Sequence, residues 1–390
     1  MSDIQAAVAK LYNTYPFPPD PLSDAPPPGY NWRWTWVAAH SFCTGRSPAR
    51  DDIQILDAGC GTGNGTDYLV HLNPQAQVTA IDLSAGALAV ARERCRRSGA
   101  DRVTFRQMPL EEAALKLPGE FDLINCVGVL HHLPDPIAGI QSIAQKLAPG
   151  GLMHIFVYAA LGRWEIQLMQ EAIALLQGDK RGDYTDGVAV GRDIFATLPD
   201  HNPLVQREKE RWSGENRRDE CFADMYVHPQ EVDYTINSLF ELIDASGLEF
   251  VGFSNPQFWQ LERLLGPSSD LMARGQALRE RDRYRLIELL DPKSVTHYEF
   301  FLARPPFAPT DWADDAELRA AVPRLHPCLH GWPSRSLFND DYDLIQLSEA
   351  EFAALEACDG EQTVGQLVAA LNLDLTTVRQ LWQQHLLVLG

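Results

Sequence analysis

A chain of 390 residues with 33 basic and 53 acidic side chains carries a formal net charge of −20, which argues against a surface that tracks nucleic-acid phosphates. The length suits two or three domains of about 100 to 200 residues each. Seven scattered cysteines with no CxxC pair read as the usage of a reducing cytoplasm, and neither a secretory leader nor an apolar run of about 18 residues is recognisable, so a cytoplasmic chain is expected, with no nucleic acid or membrane as partner.

Residues 1–50 divide into two parts. Ser2 is expected to cap a short helix through about Tyr12, with Ile4, Val8 and Leu11 at helical spacing. The stretch YPFPPDPLSDAPPPGY is too rich in proline and glycine for regular structure and reads as an extended strap. In NWRWTWVAAHSF, Trp32, Trp34 and Trp36 alternate as in a strand, while Trp32, Trp36 and Ala39 also share a helix face. Aromatic packing and a lid or acceptor wall are both open readings of it.

Ile53, Ile55 and Leu56 lead into Asp57, and glycines then recur at 59, 61, 63 and 65. This is the pattern of a buried strand entering a loop whose backbone, lacking Cβ atoms, can approach a ligand at the mouth of a helix. A GxGxxG fingerprint fails because Asn64 and Thr66 stand where the last glycine would be, and no GKS or GKT follows. The next strand, QVTAIDLS, closes on Asp82. After it come a helix over Ala85–Ser98, a strand over Val103–Arg106, the stretch FDLINCVGVLHHLPDP, a helix ending at LAPGG, and a fifth strand over Leu152–Tyr158. Arg92, Arg94, Arg96 and Arg97 read as a solvated helix face.

Taken together, DAGCGTGNG, Asp82 and this order of parts over Asp51 to Ala160 resemble the class I S-adenosylmethionine-dependent methyltransferases. The resemblance implies an α/β, Rossmann-like seven-stranded sheet and S-adenosylmethionine as cofactor. It implies that Asp57 orients the loop or meets the methionyl ammonium, that Gly59, Cys60 and Gly61 bring backbone to the amino-acid portion, that Asp82 accepts the ribose hydroxyls and that Leu83 lies against adenine. Pro109 stands where the family often has an acid for the adenine amino group, so backbone groups of Met108 or Leu110 are expected there instead. Cys126 falls beside the sulfonium by the same resemblance. His131, Tyr158 and Asn125 are the candidates for acceptor chemistry, with cofactor packing or a packed strand end as the plain alternatives for His131 and Tyr158. Tyr12 and Tyr15 are the candidate lid residues. His326, Cys328 and His330 read as structural, because zinc takes four ligands and no second pair lies near, so no metal is expected. His228 reads as a loop or helix-start residue.

Beyond the fifth strand a helix over Arg163–Leu176 opens a long excursion (about 159–223) that includes the charged KRGDYTDGVAVGRD. Such insertions usually carry substrate contacts. Leu239, Leu242 and Ile243 mark the next helix, stopped by Gly247 and followed by a strand over Leu248–Phe253. A second, mostly helical excursion (about 258–292) precedes the last strand in THYEFFLARP, which closes a domain spanning 51–304. Residues 305–323 are a linker by composition.

Residues 324–390 hold their own signals: RSLFN as a strand, a helix capped by Ser348 and Glu351, a DG turn, TVGQLVAAL, and LTTVRQLWQQHLLVLG as a third helix. This unit resembles small winged-helix-like domains that bind peptides in modification systems. Arg379 is the sole cation on its third helix, which argues against groove reading. The insertions and this unit point to a protein acceptor. YPFPP, LHHLPDP and HPQEVDYTINSLFELIDASGL resemble cyanobacterial methyltransferases that include a group acting on an asparagine amide of phycobiliprotein β subunits. A small-molecule O- or C-methyltransferase and a non-catalytic S-adenosylmethionine-binding sensor stand as alternatives.

Overall fold

The computed structural model describes residues 3–390, so the expected cap Ser2 lies outside the described residues. Seven strands form one sheet: β1 (Gln54–Ala58), β2 (Gln77–Asp82), β3 (Val103–Gln107), β4 (Phe121–Val127), β5 (Leu147–Tyr158), β6 (Glu249–Phe253) and β7 (His297–Ala303), in the order β3-β2-β1-β4-β5-β7-β6. The first five run parallel, and β7 lies antiparallel between β5 and β6. Near-continuous apolar strands such as QILDA and FDLINCV suit a sheet covered on both faces. Two apolar clusters accordingly flank it, one around Leu56, Ile124 and Ile155 with the helix Ile236–Ser246, the other around Ile55, Leu123 and Phe301 with Trp32 and Trp36.

Local chemistry sets the crossovers. Ser84 accepts the Ala87 N–H at 3.0 Å to open the helix Ala85–Ser98, and Gly99 closes it in the left-handed region. Strand order reverses between β1 and β4, which places a crevice at the carboxyl ends of these strands. The fifth strand begins at Leu147 rather than Leu152 because APGG continues it with a register shift against β4, where a helix end was expected.

The N-terminal segment is a brace. Helix Asp3–Thr14 is followed by the strap, whose Phe17 and Pro18 carbonyls accept from the Thr62 N–H (3.2 Å) and hydroxyl (2.6 Å). Arg94, expected on a solvated face, is buried instead. Its guanidinium donates to the carbonyls of Thr62, Pro21 and Asp20, pinning strap to glycine loop. The tryptophans resolve as a turn (Trp32–Trp34) and a helix (Trp36–Thr44), not a strand.

The first excursion folds as helices, including Trp164–Gln177, Tyr184–Thr197 and Asp219–Tyr226, around a cluster of Ile166, Met169, Ile173, Phe222 and Tyr226 that also takes in Leu11. KRGDYTDGVAVGRD thus lies mostly in a helix, started by Asp183. The C-terminal segment has its own core (Trp312, Leu318, Leu355, Leu367, Leu381), so part of the expected linker 305–323, including the helix Asp315–Ala320, packs into this unit. It carries two antiparallel pairs, β8 (Pro323–Leu325) with β11 (Leu387–Leu389) and β9 (Ser336–Phe338) with β10 (Leu344–Gln346). The last expected helix therefore stops at Gln383, and LVL leaves it to pair with β8. The Trp312 indole N–H donates to the Gly45 carbonyl and the Tyr30 hydroxyl to the Asn339 carbonyl, fastening this segment to the N-terminal brace.

Candidate active site

The crevice opens into a cavity of about 600 Å³. Its floor is the glycine loop. Gly59 (φ 86°) sits so near Val129 that a Cβ would come within 2.3 Å of its methyl, and a Cβ at Gly61 (φ 53°) would meet the Phe17 carbonyl at 2.6 Å. Only glycine fits either place without displacing the Val129 side chain or the strap backbone. Asp57, at the end of β1, accepts from Thr66 (2.6 Å) and from the Asn125 amide (2.9 Å). Burial pushes its carboxyl up to about 6 against those hydrogen bonds.

Asp82 holds the loop's other side. One of its oxygens accepts the Gly61 N–H and the other the Ser84 N–H, each at 2.8 Å, while burial raises the carboxyl. Further along the wall come Leu83, Met108, Pro109, Leu110 and Glu111. The Met108 N–H is spent on the Asp82 carbonyl. Glu111 accepts from Gln5 with one oxygen, and its other, Oε2, is buried with no partner. An orphaned carboxylate oxygen at a cavity wall costs free energy unless something donates to it.

The opposite half is built from distant stretches. Tyr12 on the first helix donates to Asp224 of the helix Asp219–Tyr226 at 2.8 Å. Burial pushes the Asp224 carboxyl up to about 6, against the Tyr12 hydrogen bond and the charge of Arg163. Tyr158 ends β5 in this half. Its hydroxyl makes no hydrogen bond among the described residues, its ring lies 3.4 Å beneath the Arg163 guanidinium, and burial first, then the charge of Asp224, raises its phenol. Arg163 pairs with Glu231 at 3.2 Å, both nearly out of solvent. His132 donates from Nδ1 to the Gln230 carbonyl at 3.1 Å, and burial lowers the ring to about 3, leaving Nε2 a bare, weakly basic acceptor. Arg211, Trp212 and His297 complete the wall.

Residues 56–153 match the family of methyltransferase domains, and they contain the glycine loop, Asp82 and Glu111. This chain is a class I S-adenosylmethionine-dependent methyltransferase. An uncharacterized protein of Synechococcus sp. is 59% identical over 391 residues, covering 99% of this chain and 93% of that protein. An uncharacterized phycocyanin operon protein W of Pseudanabaena tenuis is 73% identical over 93 residues, 24% of this chain and 88% of that one. A ubiquinone biosynthesis O-methyltransferase of Colwellia psychrerythraea is 38% identical over 102 residues, 26% of this methyltransferase and 40% of that enzyme. The fold is shared with PKMT2 of Rickettsia typhi in complex with AdoHcy, at a TM-score of 0.61 and 14% identity over 93% of this chain and 76% of that one.

S-adenosylmethionine is the cofactor, and the cavity suits it: a glycine loop lines it at one end and an unpartnered carboxylate oxygen stands at the other. The methyltransferase brings together at the cavity Asp57, Gly59, Cys60, Gly61, Asp82, Leu83, Met108, Leu110, Asn125, Tyr158 and Tyr12. It does not bring the others. Cys126 is wholly buried in the core beneath the sheet. His131 lies behind the wall with both ring nitrogens unpartnered, 4.0 Å from the Tyr158 ring, and it is His132 that reaches the cavity. Tyr15 packs on the helical insertion. Asn125 lines the cavity, but its oxygen faces His154 and its nitrogen Asp57, so its polar atoms serve those neighbours rather than an acceptor.

The sequence reading missed Glu111, Asp224, Arg163 and Arg211. Glu111 stands two residues after Pro109 in PLEE, a findable signal. The other three carry no local motif.

Proposed function

We propose that this methyltransferase acts on a protein side chain, with the amide nitrogen of an asparagine in a phycobiliprotein β subunit as the acceptor. The observation that carries the reading is the pairing, in one half of the cavity, of an unengaged hydroxyl donor (Tyr158) with a buried carboxylate (Asp224). A carboxamide presents the complementary set, a carbonyl to accept and an N–H to donate. The relative from a phycocyanin operon supports the choice of protein.

In this reading the Leu110 N–H and Glu111 Oε2 receive the adenine edge, Asp82 the ribose hydroxyls, and Asp57 the methionyl ammonium. Bound S-adenosylmethionine supplies an electrophilic methyl whose bonding pair stays with the departing sulfur. Tyr158 donates to the acceptor carbonyl and holds the amide in place, and Asp224 takes the proton that the nitrogen loses as its new bond to carbon forms. Tyr12 fixes the carboxylate's orientation. A second reading has support too: helix Asp3–Thr14 and the insertion roof the cavity, which suits a small acceptor.

The test is transfer of labelled methyl from S-adenosylmethionine to purified, unmodified phycobiliproteins and, separately, to a small-molecule extract. Label on an asparagine of the β subunit supports the proposal. Label confined to small molecules replaces it with the second reading, and cofactor binding without transfer to anything makes the chain a sensor.

A further inference from the structure

Polar side chains are costly in the middle of a covered sheet unless each is paired. Four strands nevertheless each place one on the same covered face, side by side, starting at the carboxyl end of β1 where the cavity opens. Asp57 on β1 is the register partner of Asn125 on β4, and Asn125 of His154 on β5. Glu299 on β7 lies two residues from Phe301, the partner of His154, and so on the same face. The hydrogen bonds follow that row. The Asn125 nitrogen donates to Asp57 at 2.9 Å, the Asn125 oxygen meets His154 Nδ1 at 3.0 Å, and His154 Nε2 meets Glu299 at 3.1 Å.

The row leaves the sheet at its far end. Glu299 accepts from the Ser254 hydroxyl (2.8 Å) and pairs with Arg33 Nε (2.9 Å). Arg33, in the tryptophan turn, lies 3.7 Å from Asp341 of the C-terminal segment, and the neighbouring Trp32 indole donates to the same carboxylate at 2.9 Å. An unbroken line of polar groups thus joins the loop that holds the cofactor to a residue almost three hundred positions later.

Donor bookkeeping decides the state of the middle member. The Asn125 nitrogen must face the Asp57 carboxylate, which leaves its oxygen, an acceptor, toward His154. Glu299 is an acceptor as well, held down to about 2 by His154 and Arg33 despite its burial. Both nitrogens of the 1% exposed His154 ring therefore face acceptors. Ionisable groups follow one another along the row through Asn125: Asp57, His154, Glu299, Arg33, Asp341. Phe301 stacks on the ring at 5.0 Å and adds no charge.

We infer that His154 and Glu299 are positioning residues that fix Asn125 and Asp57 for the cofactor, and that the C-terminal segment, through Asp341 and Arg33, is a working part of the cofactor site. This rests on the methyltransferase reading of the cavity but not on any choice of acceptor. Removing partners that orient metal ligands lowers affinity about 10- to 100-fold, and Glu299→Gln is expected to weaken S-adenosylmethionine binding to that extent. Asp341→Asn, at a half-exposed pair, is expected to weaken it about two- to fivefold.

The experiment is calorimetric binding of S-adenosylmethionine to the full chain and both variants, with nitrogen-edited NMR of the wild-type His154 ring at neutral pH. Two ring nitrogens bearing hydrogen, together with the graded loss of affinity, support the inference. A ring with one bare nitrogen overturns it even if neither variant folds, as do folded variants that bind like wild type. Absence of binding by the wild type is a different failure, that of the cavity reading itself, and would also remove the inference.

Discussion

The two halves of the cavity are built by different rules. The cofactor half is assembled from the carboxyl ends of adjacent parallel strands and the turns that follow them: Asp57 to Gly65 after β1, Asp82 after β2, Leu110 and Glu111 after β3. The acceptor half draws on five separated stretches, contributing Tyr12, Tyr158 with Arg163, Arg211 with Trp212, Asp224 and His297. One half is dictated by the sheet, which fixes where strand ends must lie. The other is dictated by an insertion whose helices close around their own apolar cluster and carry Asp224 to the cavity only as a result. The first should be insensitive to changes in the second.

The sharpest way to break that division is Asp224→Asn, which keeps shape and removes the proposed base. Turnover with the acceptor found by the labelling assay is expected to fall about 100-fold or more, while calorimetric S-adenosylmethionine affinity stays within a factor of two or so of wild type. A comparable loss of cofactor affinity would show that the halves are one site.

Asp82→Ala attacks the other half. Loss of charge-assisted hydrogen bonds worth about 1.5 to 3 kcal/mol each is expected to weaken cofactor binding about 10- to 100-fold. Rate at saturating cofactor should change far less.

A pH series sharpens the comparison without mutation. Burial has pushed the Asp57 carboxyl up to about 6 in the free chain, and the proposed contact with a methionyl ammonium needs it ionised. Cofactor affinity is therefore level above about pH 6 and falls about tenfold for each pH unit below it. The sign for stability is opposite. A carboxyl raised above its unfolded value, about 3.9, keeps a proton that the unfolded chain has released, so the free chain loses stability as pH rises through that window. Affinity that is flat down to about pH 4 would remove Asp57 from the ammonium.

The smallest effect expected is that of Tyr158→Phe, a loss of about 5- to 10-fold in turnover from one hydroxyl hydrogen bond. Unchanged turnover would assign Tyr158 to packing beneath Arg163 alone.

The glycine loop, Asp82 and the succession of elements along the chain were legible because each is a local pattern: alternation of glycine, an acid closing an apolar run, and helical stretches such as Ala85–Ser98. Gly59 and Gly61 are forced by backbone conformation and close approach, so their identity shows in the sequence even though the neighbours, Val129 and Phe17, do not. His131 was the expected candidate of the adjacent pair, and it is His132 that lines the cavity. A one-residue step along the turn sends one ring behind the wall and the other to the cavity. Arg94 looked like its neighbours Arg92, Arg96 and Arg97 until the strap closed over it.

The sequence by itself determined where most strands and helices of the sheet domain and its glycine loop lie, because hydrophobic periodicity, caps and glycine turns act over a few residues; the sheet and the cofactor came from the family resemblance those elements carry together. Tertiary structure alone decided that Asp224 meets Tyr12, that LVL forms β11 rather than a helix end, and that Asp341 is joined to Asp57 through His154. Each of these depends on partners from 60 to almost 300 residues apart, and a hydrogen bond or strand pairing across such a distance leaves no periodic mark on either partner's neighbours.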